Sequence, residues 1–129
     1  MIWVDIVGLL AVIQLFVFGL LVGRARGKYG IAAPATTGHP VFERYYRVQL
    51  NTVEVLLMFL PGLWVSAKYW PPQYSALLGV VYLVGRFVYL DAYVKDPKKR
   101  SVGFSMSMLP TLVLVLAALV GAIRALAKG

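Results

Sequence analysis

The run VGFSMSMLPTLVLVLAALVGAI, residues 102–123, holds no charged residue over its 22 positions. A helix needs about 20 apolar residues to cross the hydrocarbon of a bilayer, so this segment alone points to a membrane. Three more runs share its character. Tyr74–Tyr93 carries Arg86 and Asp91, Val48–Ala67 carries Glu54, and Ile2–Val22 carries Asp5 and Gln14. The links between them are short. The simplest architecture is therefore all-α, an up-down four-helix bundle in a single membrane domain over 1–129.

Composition agrees and excludes much else. The chain has 129 residues, 60% hydrophobic and 14% charged, with a mean hydropathy of +0.78. A disordered chain lacks such apolar content. There is no cysteine, so neither a disulfide scaffold, a protein thiolate nor a Cys-ligated metal is available. A single histidine, His39, leaves no His cluster for a metal and no material for a Ser-His-Asp triad beyond one copy. The expected metal content is none. A net charge of +8 raises nucleic acid as a partner, but the cations lie between apolar runs, as in membrane proteins, and no nucleic-acid partner is expected. The first run begins with Asp5, lacks a basic leader and has no small-residue cleavage site after it, so it reads as a retained span rather than a signal peptide.

The cations also orient the bundle. Nine of the thirteen Lys and Arg fall in link one, the entry to helix two, and link three: Arg24, Arg26, Lys28, Arg44, Arg47, Lys95, Lys98, Lys99 and Arg100. Three, Lys68, Arg124 and Lys128, fall on the other side, and Arg86 lies within a span. The bias predicts links one and three in the cytoplasm and both termini opposite. Arg44, Lys28 and Lys98 read as topology signals or lipid-headgroup contacts. Segment 27–40 reads as a structured loop with His39 either structural or incidental, Pro71-Pro72 opens helix three, and Asp96-Pro97 stops it. Pro61 and Pro110 fall inside helices two and four.

Polar residues within the spans fall in register. Arg44, Arg47, Asn51 and Glu54 are spaced 3, 4 and 3, which puts them on one face of helix two. Tyr82, Arg86, Tyr89 and Tyr93 are spaced 4, 3 and 4 on helix three. Arg100 and Ser101 start helix four, and Arg26 ends helix one. Such groups are costly in a membrane and mark cavities or partners. The set is mostly donors and positive charge, so its complement is a small anion bearing carboxylates. Glu54 is the one acid at depth, set either to pair with Arg86 or to take a ligand ammonium. Asp5, Gln14 and Asp91 join neither stripe.

The run Glu43-Arg44-Tyr45-Tyr46-Arg47-Val48-Gln49-Leu50-Asn51-Thr52-Val53-Glu54 resembles the E-R-x-x-R-x-x-x-N-x-x-E signature of the MAPEG family, the membrane-associated proteins in eicosanoid and glutathione metabolism. Val80–Tyr93 resembles the family's third helix, and Lys99-Arg100-Ser101-Val102 with Met108-Leu109-Pro110 resembles the start of its fourth. The resemblance implies a homotrimer with glutathione bound between neighbouring subunits near the cytoplasmic face. It implies glutathione contacts from Arg26, Arg47, Gln49, Asn51, Glu54, Arg86, Tyr89 and Tyr93. It implies that Arg100 stabilises the glutathione thiolate, with Ser101 assisting. Tyr89 matches the leukotriene-C-forming branch, whereas Phe104 departs from the prostaglandin-E-forming branch, and Gly27 stands where the former has a second arginine.

These features together lead to an expected membrane glutathione transferase, with peroxidase activity toward lipid hydroperoxides as an accompaniment. Its partners would be glutathione, membrane lipids and a lipophilic electrophile or lipid substrate entering between helices one and four. The alternatives are a glutathione-dependent isomerase of the prostaglandin-E-forming kind and a lipid-presenting membrane protein without catalysis.

Overall fold

In the computed structural model, which describes residues 1–129, the chain forms four long helices and no strand. α1 spans Ile2–Tyr29, α2 Pro40–Tyr69, α3 Pro72–Lys95 and α4 Ser101–Lys128, with a 3-10 turn over Pro97–Lys99 before α4. Each helix is long and apolar enough to cross a membrane. α1 runs a full two turns beyond the expected span, so Arg24, Arg26 and Lys28 are helical rather than in the link. Cations complement the carbonyl end of a helix, and nothing in that sequence breaks it before Gly30. Gly30 ends it in the left-handed region (φ 69°), its N–H donating to the Arg26 carbonyl.

The links are held by local chemistry. His39 caps α2, its Nδ1 accepting from the Val41 N–H at 3.1 Å, and its ring stacks on Tyr29 at 3.8 Å. Of the two readings the sequence allowed, the structure takes the structural one. Asp96 ends α3 and caps the 3-10 turn through Oδ1, which accepts from the Lys98 N–H at 3.1 Å.

α2 and α3 form the centre of the bundle, and α1 and α4 flank them instead of packing on each other. The main core gathers Val55, Phe59 and Leu63 of α2 around Val4, Val7 and Ala11 of α1 and Tyr82 of α3. Two polar residues outside the stripes tie helices together. Trp64 Nε1 donates to Asp5 Oδ1 at 2.7 Å, joining α2 to α1. Gln14 Nε2 donates to the Leu83 carbonyl at 2.8 Å, joining α1 to α3. Long apolar side chains cover the outside instead: Ile2, Trp3, Leu9, Ile13, Phe16 and Leu20 on α1, and Leu109, Leu112, Leu116, Leu119 and Ile123 on α4, are all exposed. A soluble monomer does not carry such a surface. This chain is a multi-pass membrane protein.

Candidate functional site

Two close approaches bring α4 against α3 at the end of the bundle where the cations collect. A methyl group placed on Gly103 would overlap the Tyr89 backbone, and one on Gly85 would lie 2.7 Å from the Met106 carbonyl carbon. Only hydrogen fits at either position. The contact at Gly103 sets Arg100, which caps α4, and Ser101, its first residue, beside Tyr89 and Tyr93.

α2 completes the site. Arg47, Asn51 and Glu54 face Tyr89, Tyr93, Arg100 and Ser101 across a cavity of about 530 Å³. That volume is within the roughly 300–1,000 Å³ of small-molecule sites. Leu50, Phe104 and Ser105 complete the wall. Arg47 precedes the first residue of the apolar run of α2, and Glu54 lies about 10 Å deeper along the axis. The cavity thus straddles the boundary between polar and apolar surface. It presents two guanidinium groups, one carboxylate, the Asn51 amide and four hydroxyls. No group of three or more His, Cys, Asp or Glu side chains comes together anywhere in the chain, and this donor set suits an organic ion with both charges better than a metal.

Beneath the cavity lies a polar core. Arg86 is fully buried. Its Nη1 donates to Asn51 Oδ1 at 2.8 Å and to Thr52 Oγ1 at 3.2 Å, while Thr52 Oγ1 donates to the Val48 carbonyl at 2.7 Å. The guanidinium also lies 4.4 Å from the Tyr89 ring centre, a cation–π contact. With its oxygen held by Arg86, Asn51 keeps its amide N–H groups for the cavity. Tyr82 is buried as well, stacked on Phe59 at 3.8 Å.

Several expectations change in this light. Arg86 does not line the cavity, and it pairs with Asn51 and Thr52 rather than Glu54; the only ion pair in the chain is Lys95–Asp91. Glu54 is exposed to the cavity and free to receive a cation. Arg26 is also outside: its Nη1 donates to the Ala35 carbonyl at 2.7 Å and its guanidinium lies 4.9 Å from the Phe42 ring centre. Gln49 faces α1 at Gly19. Arg26 lies on α1 and Gln49 on the face of α2 turned toward α1, so both point away from the cavity between α2, α3 and α4. Arg44, in register with the stripe, instead turns to the end of α3, where its Nη1 donates to the carbonyls of Val94 (3.0 Å) and Lys95 (3.4 Å). It satisfies carbonyls left open at a helix terminus. Ser105 was missed, although it stands one turn from Ser101 on the same face.

A model described as the MAPEG family matches residues 5–120. An uncharacterized protein of Synechocystis sp. is 46% identical over 119 residues, 92% of this chain and 87% of that protein. Microsomal glutathione S-transferase 2 of Homo sapiens is 40% identical over 117 residues, covering 91% of this chain and 78% of its own length. Leukotriene C4 synthase of Cavia porcellus is 42% identical over 94 residues, 73% of this chain and 63% of that enzyme.

Proposed function

The chain belongs to the MAPEG family, and from that premise we propose that it binds glutathione in the α2–α4 cavity and activates its thiol for transfer to a lipophilic electrophile. The observation that carries this reading is the convergence of Arg47, Asn51, Glu54, Tyr89, Tyr93, Arg100 and Ser101 on one cavity. Glutathione has two carboxylates, one ammonium and one thiol. Arg47 and the Asn51 amide suit a carboxylate, Glu54 suits the ammonium, and the tyrosine hydroxyls bridge between. The names of the relatives, a glutathione transferase and a leukotriene synthase, support a glutathione-using enzyme.

Arg100 and Ser101 act on the sulfur. A free thiol ionises near pH 8.5, and a guanidinium beside it favours the charged form. Ser101 donates a hydrogen bond to the same sulfur. The thiol proton leaves to water. The thiolate pair then forms a C–S bond with the electrophilic carbon as its leaving group, or the electron pair of an activated double bond, is displaced. The apolar wall of Leu50 and Phe104 favours a greasy electrophile at that point.

Arg26 and Gln49 enter this reading through assembly. In a homotrimer, the α1 side of one subunit meets the α2–α4 side of the next, and these two residues reach the glutathione of the neighbour. Arg86 holds Asn51 from below and does not touch the ligand.

The test is calorimetric titration of the detergent-solubilised protein with glutathione, followed by conjugation to a chloro-dinitro-arene. Saturable binding and a thioether product support transfer. Regenerated glutathione with a rearranged lipid product would indicate isomerisation instead, and absence of binding would leave the lipid-presenting alternative.

A further inference from the structure

A second, smaller cleft lies at the same membrane boundary, between the end of α1 and the start of α2. It encloses about 140 Å³ and is lined by Leu21, Arg24, Ala25, Lys28, Tyr29, Val41 and Tyr45. We propose that this cleft binds the phosphate headgroup of an anionic phospholipid, with Arg24 and Lys28 on the phosphate and the apolar residues along the upper acyl chain.

The argument begins with charge. Arg24 and Lys28 are one helical turn apart and face the same way, and neither has an anion from its own chain. None of the five acids lines this cleft. Asp5 accepts from Trp64, Glu43 from the Gly38 N–H at 3.2 Å and Asp96 from the Lys98 N–H. Asp91 pairs with Lys95, and Glu54 lines the other cavity. Arg26, between them in sequence, points the opposite way and is held by the Ala35 carbonyl. Two cations facing one cleft without a counter-ion call for one from outside.

Geometry specifies its kind. Along α1 the lining passes from Leu21 through Arg24 to Lys28, so the step from apolar to charged takes about 10 Å. Arg24 and Lys28 themselves are about 6 Å apart along the axis, close to the thickness of one headgroup layer, taken as half the difference between the full bilayer and its hydrocarbon core. Tyr29 and Tyr45 add hydroxyls for phosphate oxygens, and the Lys28 ammonium is 5.4 Å from the Tyr29 ring centre. A free phosphate would use the cations and leave Leu21 and Val41 idle. A phospholipid uses both halves, and basic clefts between spanning helices are known sites for such headgroups.

Native mass spectrometry of the delipidated protein in neutral detergent tests this. Dioleoyl phosphatidylglycerol and dioleoyl phosphatidylcholine are offered at equal concentration. The expected result is a retained phosphatidylglycerol adduct at least tenfold in excess over the choline lipid. The double variant Arg24→Gln/Lys28→Gln should weaken it about thirtyfold, which corresponds to two cations at about 1 kcal/mol each. The charge-matched variant Lys98→Gln/Lys99→Gln, on exposed residues at the same boundary, should retain it. Inorganic phosphate at matched concentration should not displace the lipid. Equal retention of both lipids, equal losses in the two variants, or displacement by phosphate would each overturn the proposal, the last in favour of a free-anion site. None of these readouts depends on glutathione, so the outcome is independent of the activity proposed above.

Discussion

Replacing Gly103 by alanine should have opposite consequences from the same change at Gly27. Both lie in helices, and alanine improves a helix interior by about 0.5–1 kcal/mol over glycine. At Gly27 nothing lies within 4 Å of the added methyl, so that gain stands alone and the protein becomes slightly more stable. At Gly103 the methyl meets the N and Cα atoms of Tyr89, which are backbone and cannot rotate aside. Overpacking of this sort costs about 1–3 kcal/mol, so the net change is a loss of about 1–2 kcal/mol. The relief available to the molecule is to move α4 away from α3, and Arg100 moves with it. A displacement near 1 Å in an active site lowers turnover by up to about 10²-fold. Unfolding in mixed micelles, followed by circular dichroism, measures the first effect, and conjugation kinetics the second. A Gly103→Ala protein as stable and active as the parent would refute the α3–α4 contact and the site geometry built on it.

Other perturbations separate the roles of individual side chains. Arg100→Ala should leave glutathione binding within a few-fold while removing the ultraviolet thiolate signal and slowing conjugation about 10²-fold, the scale of a lost charge-stabilising donor; unchanged rates would exclude Arg100 from the chemistry. Asn51→Leu removes an acceptor from the buried Arg86 guanidinium and should cost about 1.5–3 kcal/mol in micellar unfolding, together with loss of glutathione affinity by calorimetry. Asp91→Asn breaks the one ion pair, at 3.0 Å between side chains 72% and 66% exposed. Such pairs contribute little, and its unfolding curve should overlay that of the parent.

The four spans were legible because charge-free runs of membrane length have few other readings. The stripes were legible because helical periodicity needs only spacing. Choice of partner was not. Arg44 and Arg47 share a face by sequence, yet one reaches down to the open carbonyls of α3 and the other to the cavity, a choice made by how α3 ends. Glu54 and Arg86 have opposite charges, but the crossing of α2 and α3 brings Asn51 and Thr52 to the guanidinium first. Arg26 looked equivalent to the other polar residues because a linear pattern does not say that α1 and α4 flank the central pair, and Gln49 was named only through the family resemblance. Ser105 was passed over because serine is common in apolar helices and gives no charge signal.

The cavity opens where the cationic end of α2 gives way to its apolar length. Two solvents meet there, and in the proposed reaction one carries the tripeptide and the other the greasy reactant. The second reactant never has to dissolve in water; its supply is fixed by how it partitions into the bilayer and by how much bilayer is present. For a reaction run at such a boundary, apparent Michaelis constants quoted per volume of buffer will drift with lipid content, and mole fraction within the leaflet becomes the natural concentration scale.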